Sequence, residues 1–157
     1  MNSEQVTMER TFDATRREVW ELWTTKAGIE SWWGPDGFHV EVHAIDLRPG
    51  GLVLYAMIAD TAETIELMAR QGMPTRQELR ITFREIVPLE RLAYTHLADF
   101  IPGVAAYDVE TVVTLEQAGS KVKMTLRFER MHDETWTERA AASWEMELNR
   151  LARSLSR

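Results

Sequence analysis

Histidines and a carboxylate that alternate along one short segment are the first candidates for chemistry in this sequence. His39, Glu41 and His43 are spaced two residues apart, so in a β-strand all three side chains would lie on one face. Imidazole and carboxylate groups in this arrangement can bind a metal ion. The intervening Val40 and Val42 predict that the opposite face is the buried one. The sequence therefore favours a hydrated strand face over a metal site.

A second candidate is His96, which alternates with Leu92 and Tyr94 on the apolar side of another predicted strand. An imidazole in this position can act as an acid, as a base or as a hydrogen-bond donor to a bound molecule. The alternative is a core histidine that is satisfied by a neighbour such as Thr111. Because spacing fixes no second catalytic group, we expect ligand contact from His96 more than catalysis.

Composition narrows the classes of function. The 157 residues include no cysteine, which excludes disulfides and thiolate metal sites, and the net charge of −7 argues against a nucleic-acid partner. The chain has no leader pattern and no apolar run approaching the roughly 20 residues of a membrane span, so we expect one cytoplasmic domain over residues 1–157. Phosphate-loop, nucleophile-elbow and zinc-protease motifs are absent, so no cofactor and no metal are predicted.

Periodicity and turn residues predict the elements that position these side chains. A strand over 5–12 precedes a helix that Asp13 or Thr15 caps, and a second short helix follows over 27–33. Another helix, over 61–71, is predicted between strands. The further predicted strands span 38–46, 52–59, 78–87, 91–97, 107–117 and 121–130.

The last segment, from Asp133 onward, predicts one long helix. Its apolar stripe consists of Trp136, Ala140, Trp144, Leu148, Leu151 and Leu155. A stripe of this length must cover an apolar surface. The order of elements therefore predicts an α+β fold in which a curved antiparallel sheet of about six or seven strands wraps around the C-terminal helix, with a cavity between them.

Several motifs resemble those of a known family. They are Phe12-Asp13-Ala14, Trp32-Trp33-Gly34-Pro35, Asp46-Leu47-Arg48-Pro49-Gly50-Gly51, Pro88-Leu89-Glu90-Arg91-Leu92, and Trp144 with Leu148 and Leu151. Together they resemble bacterial proteins similar to the C-terminal domain of the activator of heat-shock protein 90 ATPase, in the START-like (SRPBCC) superfamily. The resemblance covers nearly the whole chain and implies the helix-grip fold. Two departures are Ser143, where a glycine is usual, and an insertion over 61–77.

Three functions follow as hypotheses. The first is binding of an apolar or aromatic small molecule between the sheet and the C-terminal helix. The residues expected to contact it are Trp32, Trp33, Tyr94, His96, Thr111, Trp136, Ala140 and Trp144. The second, implied by the family resemblance, is binding to a chaperone. The third is a cyclase or isomerase of the polyketide cyclase type, with His96 as the base.

Two apolar segments suggest contacts with other molecules. The loop from Phe100 to Val104 is unusually apolar, which is typical of a cavity mouth or a homodimer contact. The inserted helix places Ile65, Met68 and Ala69 on one face, which suits a lid, a dimer contact or packing on the sheet.

Overall fold

The chain forms seven β-strands and four α-helices in the part that the structure describes, which comprises residues 5–99, 101 and 103–155 of a computed structural model. The strands are β1 (Gln5–Phe12), β2 (Phe38–Ile45), β3 (Leu52–Ala59), β4 (Arg76–Val87), β5 (Arg91–Ala98), β6 (Tyr107–Ala118) and β7 (Lys121–Glu129). The helices are α1 (Arg16–Thr24), α2 (Lys26–Trp32), α3 (Ala62–Arg70) and α4 (Glu134–Leu155). All predicted elements are present, and their described ends differ from the predicted ones by at most two residues.

The seven strands form one antiparallel sheet in the order β1-β7-β6-β5-β4-β3-β2. Its register shifts between Val42 and Ala44 in β2 and between Phe83 and Glu85 in β4, and such bulges increase the local twist and bend of a sheet. The sheet curves around α4, which also packs on α1, α2 and β1. This is the predicted α+β helix-grip architecture.

Threonines set the ends of the two short helices that follow β1. Thr15, rather than Asp13, caps α1, and it forms a capping box in which its hydroxyl accepts from the Glu18 amide while Glu18 accepts from the Thr15 amide. Thr25 caps α2, so this helix begins one residue before the predicted start. Gly28 lets the two helices approach closely, since a Cβ there would lie 2.1 Å from the Glu21 carbonyl oxygen.

The core lies between the inner face of the sheet and the helices. Its largest fully buried side chains include Trp23, Trp32, Phe83, Phe128 and Leu148. A smaller cluster, formed by Ala98, Ile101 and Val109 with Trp136 and its neighbours packed against it, lies apart from this main core. The helix-grip interior is therefore divided into two apolar regions.

The insertion forms α3 between β3 and β4. Thr61 caps the helix, Met68 is its buried residue, and Ile65, Leu67 and the following Met73 are exposed. Of the apolar face predicted for this helix, only Met68 is therefore buried. Phe100 and Pro102, from the loop considered as a dimer contact, lie outside the described residues.

Across the described ranges, every helix is too short or too polar to span a bilayer.

Candidate functional site

The turn after α2 is held in place by two charged residues of α4. Gly34 has a φ of 96°, a left-handed conformation that glycine adopts without strain, and its amide donates to Glu147 Oε1 over 3.2 Å. Arg150 lies one helical turn further on. Its Nη1 donates to the carbonyl oxygens of Gly34 at 2.7 Å, Pro35 at 3.0 Å and Phe38 at 2.9 Å. Two side chains of α4 therefore fix the conformation of this turn.

Trp33, at the start of this turn, packs against two tyrosines of the sheet. Its ring centroid lies 5.3 Å from that of Tyr55 in β3, at an interplanar angle of 87°, and 6.2 Å from that of Tyr94 in β5. Trp23 contacts the same group, with ring centroids 6.4 Å from Tyr94 and 6.0 Å from Trp144. Edge-to-face and tilted contacts at these distances are the favoured aromatic geometries.

Two polar atoms beside Tyr94 are buried without a hydrogen-bond partner. They are Nε1 of Trp33 and Oγ1 of Thr111, the residue directly opposite Tyr94 on β6. By contrast, Trp32 Nε1 donates to the Leu22 carbonyl oxygen over 2.8 Å. An unsatisfied buried polar group costs about 1–3 kcal/mol. These two groups are therefore candidates for pairing with a bound molecule.

Glu147 gives this region its electrostatic character. Burial raises the pKa of its carboxyl to about 7, although the Gly34 amide and the Arg150 guanidinium both favour the charged form. Burial, followed by the Glu147 charge, also raises the pKa of the hydroxyls of Tyr55 and Tyr94. Thr111 partly opposes the shift at Tyr94, but no hydrogen bond of normal geometry joins the two hydroxyls. The carboxyl thus lies close enough to both phenols to influence them.

We call the group formed by Trp33, Tyr55, Tyr94, Thr111 and Glu147 the Tyr94 site. It combines unpaired hydrogen-bond donors, apolar ring surface and a carboxyl that changes charge near neutral pH. Such a combination can orient a small organic molecule, and it can also accept or return a proton.

The sequence-predicted ligand residues are distributed unevenly around this site. Trp33, Tyr94 and Thr111 belong to it, and Trp144 adjoins it through Trp23. Ala140, also on α4, is half-buried against the main core. The structure therefore brings four of the eight predicted residues, namely Trp33, Tyr94, Thr111 and Trp144, into one region.

The other three predicted residues occupy different environments. Trp32 is fully buried with its indole N–H satisfied, so it supports Trp33 from within the core. Trp136 packs in the smaller cluster. His96 is on the same sheet face as Tyr94, between Ile81 and Val109 on the adjacent strands. Burial lowers the pKa of His96, with Asp108 opposing the shift, which keeps the imidazole neutral near pH 7.

Sequence reasoning missed Tyr55 and Glu147. Glu147 lies three residues after Trp144 and four before Leu151, which is helical spacing for the buried face of α4. A carboxylate inside an apolar stripe was the signal that could have identified it. Tyr55 had a weaker signal, because it lies in an apolar run, Leu52–Ala59, whose faces are hard to distinguish.

The alternating histidines of β2 form hydrogen bonds with carboxylates on the outer face. His39 Nδ1 lies 3.0 Å from Asp60 Oδ2, and His43 Nε2 lies 2.9 Å from Glu78 Oε1. The bulge between Val42 and Ala44 also interrupts the alternation next to His43. Among the residues whose positions are described, no group of three or more histidine and carboxylate side chains is suitably placed for a metal ion.

Comparison with solved structures identifies several proteins with this fold. Protein CV1439 from Chromobacterium violaceum is 21% identical, with a TM-score of 0.78 and coverage of 98% of each chain. The AHSA1 protein from Silicibacter pomeroyi is 19% identical, with a TM-score of 0.73 and coverage of 96% of each chain. CalU16 from Micromonospora echinospora is 19% identical, with a TM-score of 0.65, and the match covers 95% of this chain and 74% of CalU16.

A search of curated proteins finds no match to this sequence. The family model for "Activator of Hsp90 ATPase homolog 1-like protein" matches residues 13–156. This match includes all five residues of the Tyr94 site. The chain therefore belongs to the Activator of Hsp90 ATPase homolog 1-like family and has its START-like fold.

Proposed function

We propose that this protein binds a small apolar or aromatic molecule at the Tyr94 site, between the sheet and α4. The observation that carries the proposal is the pair of unpartnered buried polar atoms, Trp33 Nε1 and Thr111 Oγ1, on two residues that neighbour Tyr94. Folded proteins rarely leave such groups unpaired, and a ligand that pairs with them recovers their lost hydrogen-bond energy.

The rest of the site supports an organic ligand. Trp33, Tyr55 and Tyr94 supply ring surface, and a few polar groups are set among them, which is the usual composition of small-molecule sites. Trp144 and Ala140 of α4 are only partly buried although they pack on the main core. Accessible surface at the inner side of α4 is consistent with an opening beside the Tyr94 site.

Native mass spectrometry of the gently purified protein, followed by organic extraction, tests the proposal. We expect a bound compound in wild type, its loss in Thr111→Val, and its retention in Thr114→Val, which changes a half-exposed threonine of the same strand. The same spectra report the oligomeric state and so test the predicted homodimer. An empty wild-type protein that no member of a broad ligand panel stabilises would refute the proposal and favour a chaperone or another protein partner.

A second candidate function is proton transfer on the bound molecule, as in an isomerase or cyclase. Glu147 favours it, because a buried carboxyl with a pKa of about 7 is suited to act as a general base near neutral pH. The carboxylate would take a proton from the carbon next to a carbonyl, the C–H electron pair would move toward the carbonyl oxygen, and the proton would return at another position. His96, the base in the cyclase or isomerase hypothesis from the sequence, lies instead between Ile81 and Val109 of the adjacent strands.

Deuterium exchange distinguishes this candidate from binding alone. The extracted compound is incubated with the protein in D2O, and incorporation of deuterium next to its carbonyl is followed by NMR. Loss of exchange in Glu147→Gln but not in His96→Gln is expected. Equal exchange in wild type and Glu147→Gln would contradict the role of Glu147.

A further inference from the structure

We propose that a groove between the first half of β4 and the end of β5 binds an extended, basic peptide segment of another protein. The groove has a volume of about 450 Å³, and its lining includes Leu54, Glu78, Arg80, Leu97 and Asp99. None of its lining residues belongs to the Tyr94 site, so the two sites are separate. We call this feature the β4–β5 groove.

The β4–β5 groove forms because the two strands separate before either of them ends. Their pairing begins at Ile81 and His96. In the described part of the chain, residues 76–80 of β4 pair with β3 alone, and Leu97 and Ala98 pair with β6 alone. The start of β4 is therefore a short strand edge inside the sheet.

The backbone of this edge points into the groove. The Ala59 amide donates to the Thr75 carbonyl oxygen over 2.8 Å, at the end of the β3–β4 pairing. At the other end, the Phe83 amide donates to the Gly51 carbonyl oxygen over 2.9 Å. Because hydrogen bonding alternates along an antiparallel strand, Glu78 directs its amide and carbonyl groups away from β3 and toward the groove. An edge of this kind can bind an added strand through main-chain hydrogen bonds.

Two leucines give the groove an apolar surface. Leu54 and Leu97 alternate with Tyr55 and His96 of the inner face, so both lie on the outer face of the sheet. Leu54 is 38% exposed, which is unusual for a leucine in the middle of a strand. An apolar side chain of an added strand would cover this surface.

The charges around the groove favour a basic segment. Arg76 and Glu78 lie 2.8 Å apart and balance each other. Asp99 lines the groove, and Asp108 lies on β6 opposite one of the two leucines. Within the described ranges, neither aspartate forms an ion pair with a lysine or an arginine. Arg80 opposes them with one positive charge, but the two carboxylates and the net charge of −7 on the chain attract a cationic partner.

Fluorescence anisotropy with two labelled hexapeptides tests the proposal. One alternates lysine with valine and the other alternates glutamate with valine, and both are acetylated and amidated. Wild type should bind the lysine peptide saturably and the glutamate peptide at least about tenfold more weakly. Asp99→Asn should weaken binding of the lysine peptide and Arg80→Gln should strengthen it, each about threefold. Glu21→Gln, which makes the same charge change as Asp99→Asn on α1, should have no effect.

Glu78→Pro and Glu78→Ala separate main-chain pairing from surface charge. Both variants lack the carboxylate, but proline also lacks the amide hydrogen that points into the groove. Because this hydrogen makes no bond to β3, both variants should fold, which circular dichroism checks. The lysine peptide should bind Glu78→Pro about tenfold more weakly than Glu78→Ala. If the proline variant does not fold, slower exchange of the Glu78 amide hydrogen in wild type with the peptide bound is the expected result instead.

Three results would overturn the proposal. They are the absence of saturable binding, equal affinity for the two peptides, and equal affinity of the two folded Glu78 variants or an unchanged Glu78 exchange rate. Thr111→Val should leave peptide binding unchanged, because Thr111 belongs to the Tyr94 site. Failure of peptide binding would therefore leave the proposed ligand-binding function intact.

Discussion

Replacing Glu147 with glutamine should stabilise the protein at alkaline pH and have less effect at acidic pH. Burial raises the pKa of this carboxyl from an ordinary 4.5 to about 7, so the folded state holds its proton more tightly than the unfolded state. The stabilisation from that proton is fully present below about pH 4.5 and is lost as the pH rises through about 7. Between about pH 5.5 and pH 8.5, the linkage corresponds to a loss of about 2 kcal/mol in the free energy of unfolding.

Glutamine preserves the shape of the side chain and an oxygen that can accept from the Gly34 amide, but it has no ionisable proton. The free energy of unfolding of both proteins should be measured by urea denaturation at several pH values across this range. We expect the difference in the free energy of unfolding between Glu147→Gln and wild type to increase in favour of the variant by about 2 kcal/mol from about pH 5.5 to pH 8.5. Glu138→Gln, at an exposed position of the same helix, is the control and should show no such trend. If the free energy of unfolding changed with pH in the same way in wild type and Glu147→Gln, the assignment of a raised pKa to this carboxyl would be refuted.

Three further substitutions test the packing around the site. Arg150→Ala removes the donor to three carbonyl oxygens and should lower the free energy of unfolding, measured by urea denaturation, by about 2–4 kcal/mol. Arg153 forms only an exposed ion pair with Asp36, so Arg153→Ala should lower it by less than about 0.5 kcal/mol. Thr111→Val replaces an unpaired buried hydroxyl with a methyl group, so the ligand-free protein should become more stable by about 1 kcal/mol; a loss of stability would show that the hydroxyl is paired. Gly34→Ala introduces a Cβ at a φ of 96° and should lower the free energy of unfolding by about 1–3 kcal/mol, seen as a reduced Tm; an unchanged Tm would contradict the strained turn.

The predicted secondary structure was accurate because its signals are local. Alternation in residues 107–117 and 121–130 matched β6 and β7, and helical spacing from Trp136 to Leu155 matched α4. The errors occur at element ends, where neighbouring residues compete for one role. At the start of α1, for example, either Asp13 or Thr15 had the chemistry of a cap, and only the capping box with Glu18 identifies Thr15.

The site was predicted less completely than the fold. Trp32 and Trp33 are adjacent and of one residue type, so no local pattern shows that the first donates to Leu22 while the second stays unpaired. Trp136 and Trp144 belong to one helical stripe, yet they pack into different apolar clusters. The division of the interior depends on where the loop and strand residues lie beneath α4, which spacing along the helix cannot specify.

By itself, the sequence determined the type and order of the elements and the family-like motifs, since these depend on residues close together along the chain. The tertiary structure decided which polar groups are unpaired and which carboxyl is buried. Glu147 illustrates the physical reason: its protonation depends on the water that the surrounding fold removes, on Gly34, which is 113 positions away in the chain, and on two tyrosines from separate strands. Desolvation and charge proximity are properties of the folded arrangement, and they convert an ordinary glutamate of α4 into the central candidate residue of the Tyr94 site.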